Sequence, residues 1–178
     1  YEDTDLAYLD THYYGGIKKY QWVAMPLALH GVIVRKTGEK VIINIGEDEN
    51  DPVFCISDLL VHLAQEQMTK NAKEVVEGEA LNLIVGGRPL EGEEKDAVKA
   101  NVLKLLADKY GVEEEDFLSA ELEIVPAGKA RDMGFDRSMI LAYGHDDRVC
   151  AYPSMMAVLD YEGTPEYTLC CIVTDKEE

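Results

Sequence analysis

The chain has 178 residues, 47% of them hydrophobic and 29% charged; this suffices for a packed core in one or two domains and excludes a disordered chain. Its formal charge of −18 excludes nucleic acid as a partner, since phosphates demand Lys and Arg, and it repels anionic surfaces. No run approaches the roughly 20 apolar residues of a membrane span, and Tyr1-Glu2-Asp3 has neither the basic start nor the apolar stretch of a signal peptide.

In chain order, Leu6 to Tyr14 reads as a strand closed by Gly15-Gly16. Gln21 to Leu29 is extended but interrupted by Pro26, which suits a sheet edge or a bulge. Val32-Ile33-Val34 and Val41 to Ile45 flank Lys36-Thr37-Gly38-Glu39-Lys40, a hairpin signal. After the acidic loop Glu47 to Asp51 comes a short strand, Val53 to Ile56. Ser57 is a natural N-cap, with Asp58 in the first turn of an amphipathic helix whose apolar positions run from Leu60 through Leu63, Ala64, Met68 and Ala72 to Val76. Leu81 to Val85 is a strand. A second helix is expected from about Glu93 to Tyr110, with Val98, Val102, Leu105 and Leu106 on its apolar face and Gly111 as its stop. Ala120, Leu122 and Ile124 alternate with Glu121 and Glu123, as in a half-exposed strand. The pattern changes near Lys129 to Gly134, the main expected boundary. Beyond it follow a strand at Met139 to Ala142, an acidic turn, a helix at Ser154 to Leu159, and a strand at Tyr167 to Thr174. The fold class is mixed α/β.

Two of these strands end in paired acids: Asp146-Asp147 after the first, Glu177-Glu178 after the last. Ligands in open α/β sheets bind outside the carboxyl ends of strands. Carboxylates gathered there resist joint ionisation unless cations neutralise them, so the pattern points to a divalent-metal site. The same residues also suit simpler roles, an N-cap for Asp146-Asp147 and a solvated end for Glu177-Glu178.

Gly144-His145-Asp146-Asp147-Arg148-Val149-Cys150-Ala151-Tyr152 and the final Asp175-Lys176-Glu177-Glu178 resemble the zinc aminopeptidases of the aspartyl aminopeptidase/aminopeptidase I family. Similar matches lie in Thr11-His12-Tyr13-Tyr14-Gly15-Gly16 and the residues following, in Gly46-Glu47-Asp48-Glu49-Asn50-Asp51-Pro52, and in Val125-Pro126-Ala127-Gly128-Lys129-Ala130-Arg131-Asp132. The resemblance implies a dimerisation/lid domain inserted into a zinc-exopeptidase α/β catalytic domain. Residues 1–14 would begin the catalytic portion, 15–131 form the dimerisation/lid domain, and 132–178 return to the catalytic portion. Two zinc ions, peptide substrates and a homo-oligomer of dimers within a larger assembly are implied as well. Asp146 corresponds to the carboxylate bridging the two zinc ions, Glu178 to a terminal metal ligand and Glu177 to the general base. The remaining ligands would lie outside Tyr1–Glu178, so the chain is expected to be an interior stretch of the enzyme, inactive alone.

His62 corresponds to a family histidine that reaches the neighbouring subunit's active site; it equally suits a helix-face residue supporting an interface. His12 and His30 lie in strand-like segments and read as packing residues. His145 stands where the family more often has Gln and reads as an orienting surface residue. Pro153 is a second departure, expected to kink a helix starting near Arg148. Arg148 is expected to pair with a carboxylate. Cys55, Cys150, Cys170 and Cys171 form no Cys-x-x-Cys pair and read as buried free thiols of a reducing, cytoplasmic compartment. The alternative to an aminopeptidase is a non-catalytic oligomerisation or lid module whose acids are merely solvated.

Overall fold

The computed structural model describes residues 1–174. Two compact units form, Tyr1–Gly128 and Lys129–Glu178.

The first unit opens with β1 (Glu2–Asp3) and β2 (Leu6–Leu9), an antiparallel pair. Next come β3 (Leu27–Val34), which starts immediately after Pro26, and β4 (Lys40–Ile45). These two make the hairpin that the Lys36–Lys40 turn predicts, with Leu29 opposite Ile45 and Ile33 opposite Val41. β5 (Leu83–Gly86) joins β2, giving the order β1-β2-β5. The helix α1 (Ala97–Tyr110) stops at Gly111, whose φ of 61° is left-handed and inexpensive for glycine. β6 (Glu121–Pro126) then pairs along the free side of β3, giving the order β4-β3-β6. Gly31 makes this pairing possible: at φ 143°, a Cβ there would overlap the Glu121 carbonyl oxygen. Single bridges from Phe54 to Leu27 and from Cys55 to Ile84 link the two sheets.

Period-two alternation carries the core. Leu27, Leu29, Ile33, Ile43, Ile45 and Leu83 are buried in one cluster, while Ile42 and Asn44 face outward. Each such aliphatic side chain contributes roughly 1.5–3 kcal/mol on burial.

The second unit holds the hairpin β7 (Arg131–Met133) and β8 (Met139–Leu141), followed by α2 (His145–Leu159). None of its described residues is buried; Phe135, Ile140, Leu141 and Val149 are all exposed.

Several expectations need correction. Residues 57–77 form no α-helix; they make turns and a 3-10 helix at Gln67–Thr69. A single amphipathic helix is held mainly by packing of its stripe, and here Leu60, Leu63 and Met68 are 67–71% exposed. Asp58 also satisfies the backbone locally, accepting from the Leu59 N–H at 2.8 Å and from Gln67 Nε2 at 2.9 Å. Tyr167 to Thr174 forms no strand; among the described residues no neighbouring strand offers it a hydrogen-bond ladder. The first strand ends at Leu9 instead of Tyr14. Leu105, assigned to the apolar face of α1, is 59% exposed. The four cysteines are free, and none is buried.

Candidate metal-bridging turn

The chain leaves β8 through Ala142-Tyr143 and must turn before the acidic pair. Gly144 makes that turn at φ 76°, the region where a side chain is strained. Arg148 Nη1 donates to the Gly144 carbonyl oxygen at 2.9 Å, and a Cβ on residue 144 would overlap that nitrogen. The carboxylate pairing expected of Arg148 is thus replaced, among the described residues, by a hydrogen bond to the main chain.

Between these partners the backbone is not helical. Asp146 lies at φ −88°, ψ 111° and Asp147 at φ −120°, ψ 40°; the peptide bond joining them is cis. Regular helix starts beyond Asp147, whose Oδ1 accepts the Cys150 N–H at 3.2 Å and serves as the cap. Acidic groups also suit the positive end of the helix dipole. Pro153 lies within α2 and lacks an N–H for the ladder, yet the break comes earlier, at Asp146-Asp147. The Ser154 hydroxyl donates to the Cys150 carbonyl at 2.8 Å one turn along.

The electrostatics of the turn fall on Cys150. A hydrogen bond to the Asp147 carboxylate and the charge of that carboxylate push the thiol pKa up; desolvation and the charge of Asp146 add to this. Thiolate is what binds metals and attacks electrophiles, so the turn keeps Cys150 a poor ligand and a poor nucleophile at neutral pH.

The donor chemistry of Asp146 fits zinc: a carboxylate, exposed, on a turn braced from both sides. The number of donors does not yet suffice. Zinc takes about four donors, and among the described residues no group of three or more His, Cys, Asp or Glu side chains could hold a metal ion. Glu177 and Glu178 lie outside the described residues. The expected meeting of two strand ends does not form among the described residues: β8 pairs with β7, and residues 167–174 are not a strand.

His62 is exposed in a turn of the first unit, beside exposed Leu60, Val61 and Leu63. His12 is exposed; His30 Nε2 lies 3.1 Å from Glu47 Oε1, opposite Asn44 and Glu123 in its sheet. That contact satisfies an ion-pair distance, while His30 Nε2 has no hydrogen bond of good geometry. The link between Gly144 and Arg148 was missed in the sequence. No local pattern marks it, since a side chain that reaches a main-chain carbonyl can start from any donor four residues on.

Residues 2–178 match the family described as aminopeptidase I zinc metalloprotease (M18). A probable M18 family aminopeptidase 1 of Clostridium acetobutylicum is 63% identical over 179 residues, covering 100% of this chain and 38% of the relative. A crystal structure of an M18 family aminopeptidase from Thermotoga maritima superposes with a TM-score of 0.85 at 52% identity, over 93% of this chain and 36% of that one. Aminopeptidase I from Clostridium acetobutylicum superposes at 0.81 with 64% identity, over 90% and 35%. The chain thus spans less than two fifths of the curated relatives it matches.

Proposed function

The chain belongs to the aminopeptidase I zinc metalloprotease (M18) family, and from that premise we propose that the complete protein is a zinc-dependent aminopeptidase removing N-terminal residues from peptides. The observation that carries this reading is Asp146, a carboxylate on a braced turn within the stretch, residues 2–178, that matches the family. When bound, a pair of zinc ions supplies an activated water and a polarised peptide carbonyl.

The roles of this chain's residues follow from what each group can do. Asp146 offers two carboxylate oxygens on a short side chain, which suits one ligand shared between two cations. Glu178 would supply a further carboxylate to the metal pair. Glu177 acts as the general base: its carboxylate takes the proton of the attacking water and returns it to the leaving amine. His62 reaches the active site of a neighbouring subunit. In this reading residues 1–14 and 132–178 belong to a catalytic α/β domain, 15–131 to an inserted dimerisation/lid domain. The enzyme assembles as dimers within a larger homo-oligomer and works in the cytoplasm. The exposed apolar residues beside His62 support the interface role of that stretch.

The test is hydrolysis of a panel of aminoacyl substrates by the complete protein, before and after zinc is stripped and restored. Turnover is expected to vanish with the metal and return with it. Glu177→Gln is expected to retain zinc and lose most turnover. A complete protein that neither binds zinc nor cleaves the panel would instead favour a non-catalytic oligomerisation or lid module.

A further inference from the structure

Asp146 sits on backbone that regular secondary structure does not hold. The preceding strand has ended, the helix has not begun, and both residues of the acidic pair are non-helical. Metal ligation tolerates little positional slack, on the order of 0.2 Å in bond length. Something local must therefore fix the torsions around Asp146. Two bonds do so. Asp147 Oδ1 ties the turn forward to the Cys150 N–H, and Arg148 Nη1 ties it back to the Gly144 carbonyl, closing a short loop with Asp146 inside it.

We propose that Arg148 is a positioning residue for Asp146, its guanidinium clamping the Gly144 carbonyl so that the Asp146 carboxylate is held in ligand geometry before metal arrives. The proposal rests on the bridging role of Asp146. The absence of a side chain on residue 144 is part of the device, because the guanidinium occupies the space a Cβ would take. The left-handed φ of Gly144 also turns its carbonyl to where Arg148, four residues on, can reach it. Arg suits this clamp through its planar fork of donors, kept charged at every working pH. Groups outside the ligand shell that orient a metal ligand typically change metal affinity by 10–100-fold when removed.

The experiment is chelator competition on the complete, zinc-loaded protein, with wild type, Asp146→Asn, Arg148→Ala, Arg148→Lys and Gly144→Ala side by side. Arg148→Ala is expected to give up zinc roughly 10–100-fold more readily than wild type, and its cobalt-substituted form to show an altered visible spectrum. Arg148→Lys, able to donate one bond to the same carbonyl, should recover part of that loss. Gly144→Ala, which displaces the guanidinium and also strains the turn at its left-handed φ, should lose at least as much zinc as Arg148→Ala. Should Arg148→Ala fail to fold, Arg148→Lys decides the question: faster zinc release than wild type supports the clamp, and wild-type release overturns it. Wild-type zinc affinity and cobalt spectrum in folded Arg148→Ala or Gly144→Ala, with only thermal stability lowered, would reduce Arg148 to a structural residue and overturn the proposal. If Asp146→Asn loses zinc while the clamp variants keep it, the bridging role stands and the clamp falls. If Asp146→Asn keeps zinc, both fall.

Discussion

Glu2 caps a helix that begins 95 residues later, and removing its side chain should cost the first unit about 2 kcal/mol. Oε2 of Glu2 accepts the N–H groups of Val98 and Lys99, both at 2.9 Å. These are first-turn donors of α1, which an N-cap side chain would ordinarily satisfy. Asp96, the residue in that position, is left-handed at φ 48° and makes no side-chain capping bond. Glu2→Ala therefore loses a cap, typically about 1 kcal/mol. It also strands the N–H of Val98, a residue 2% exposed, and an unsatisfied buried donor costs about 1–3 kcal/mol. The two contributions overlap, which gives the figure of about 2 kcal/mol. Glu2→Gln keeps an acceptor oxygen and loses only the charge at the helix terminus, about 0.3–1 kcal/mol. Urea unfolding followed by circular dichroism measures the totals; amide exchange at Val98 and Lys99 localises them. Equal stability of wild type and Glu2→Ala, with unchanged exchange at those amides, would refute the reasoning.

Gly31→Ala should cost about 3 kcal/mol or more in the same unfolding assay, since its Cβ would meet the Glu121 carbonyl and wedge β6 from β3. Cys150 should alkylate more slowly at pH 8 than a free thiol, because its raised pKa leaves less thiolate there; Asp147→Asn, which keeps the capping oxygen but removes the charge, should speed it, as peptide mapping by mass spectrometry will show. The 178-residue chain alone should bind zinc weakly in calorimetric titration and leave aminoacyl substrates at the buffer rate, since among the described residues no group of three or more His, Cys, Asp or Glu could hold an ion that needs about four donors.

What could be read from the sequence divides along a physical line. The β3–β4 hairpin, the α1 stop at Gly111, β5, β6 and β8 follow from local rules: alternation, turn residues and a left-handed glycine. Residues 57–77 carry clear apolar periodicity and residues 167–174 a largely apolar run, and they form neither the helix nor the strand these suggest. Periodicity says which face needs covering, not what covers it. Leu60, Leu63, Ile172 and Val173 find no cover among the described residues, so propensity alone decides and loses. The site divides in the same way. Asp146 could be picked out because a motif surrounds it. The Gly144–Arg148 bond could not, because a side chain reaching a main-chain carbonyl leaves no compositional trace. The long-range cap from Glu2 to α1 is likewise invisible to any local window.

The central claim is that Asp146 bridges the metal pair, and zinc content of the purified complete protein tests it most directly. Wild type is expected to hold two zinc ions per active site. Asp146→Asn, with a neutral amide in place of the shared carboxylate, should lose both while remaining folded. Full zinc occupancy in Asp146→Asn would contradict the account.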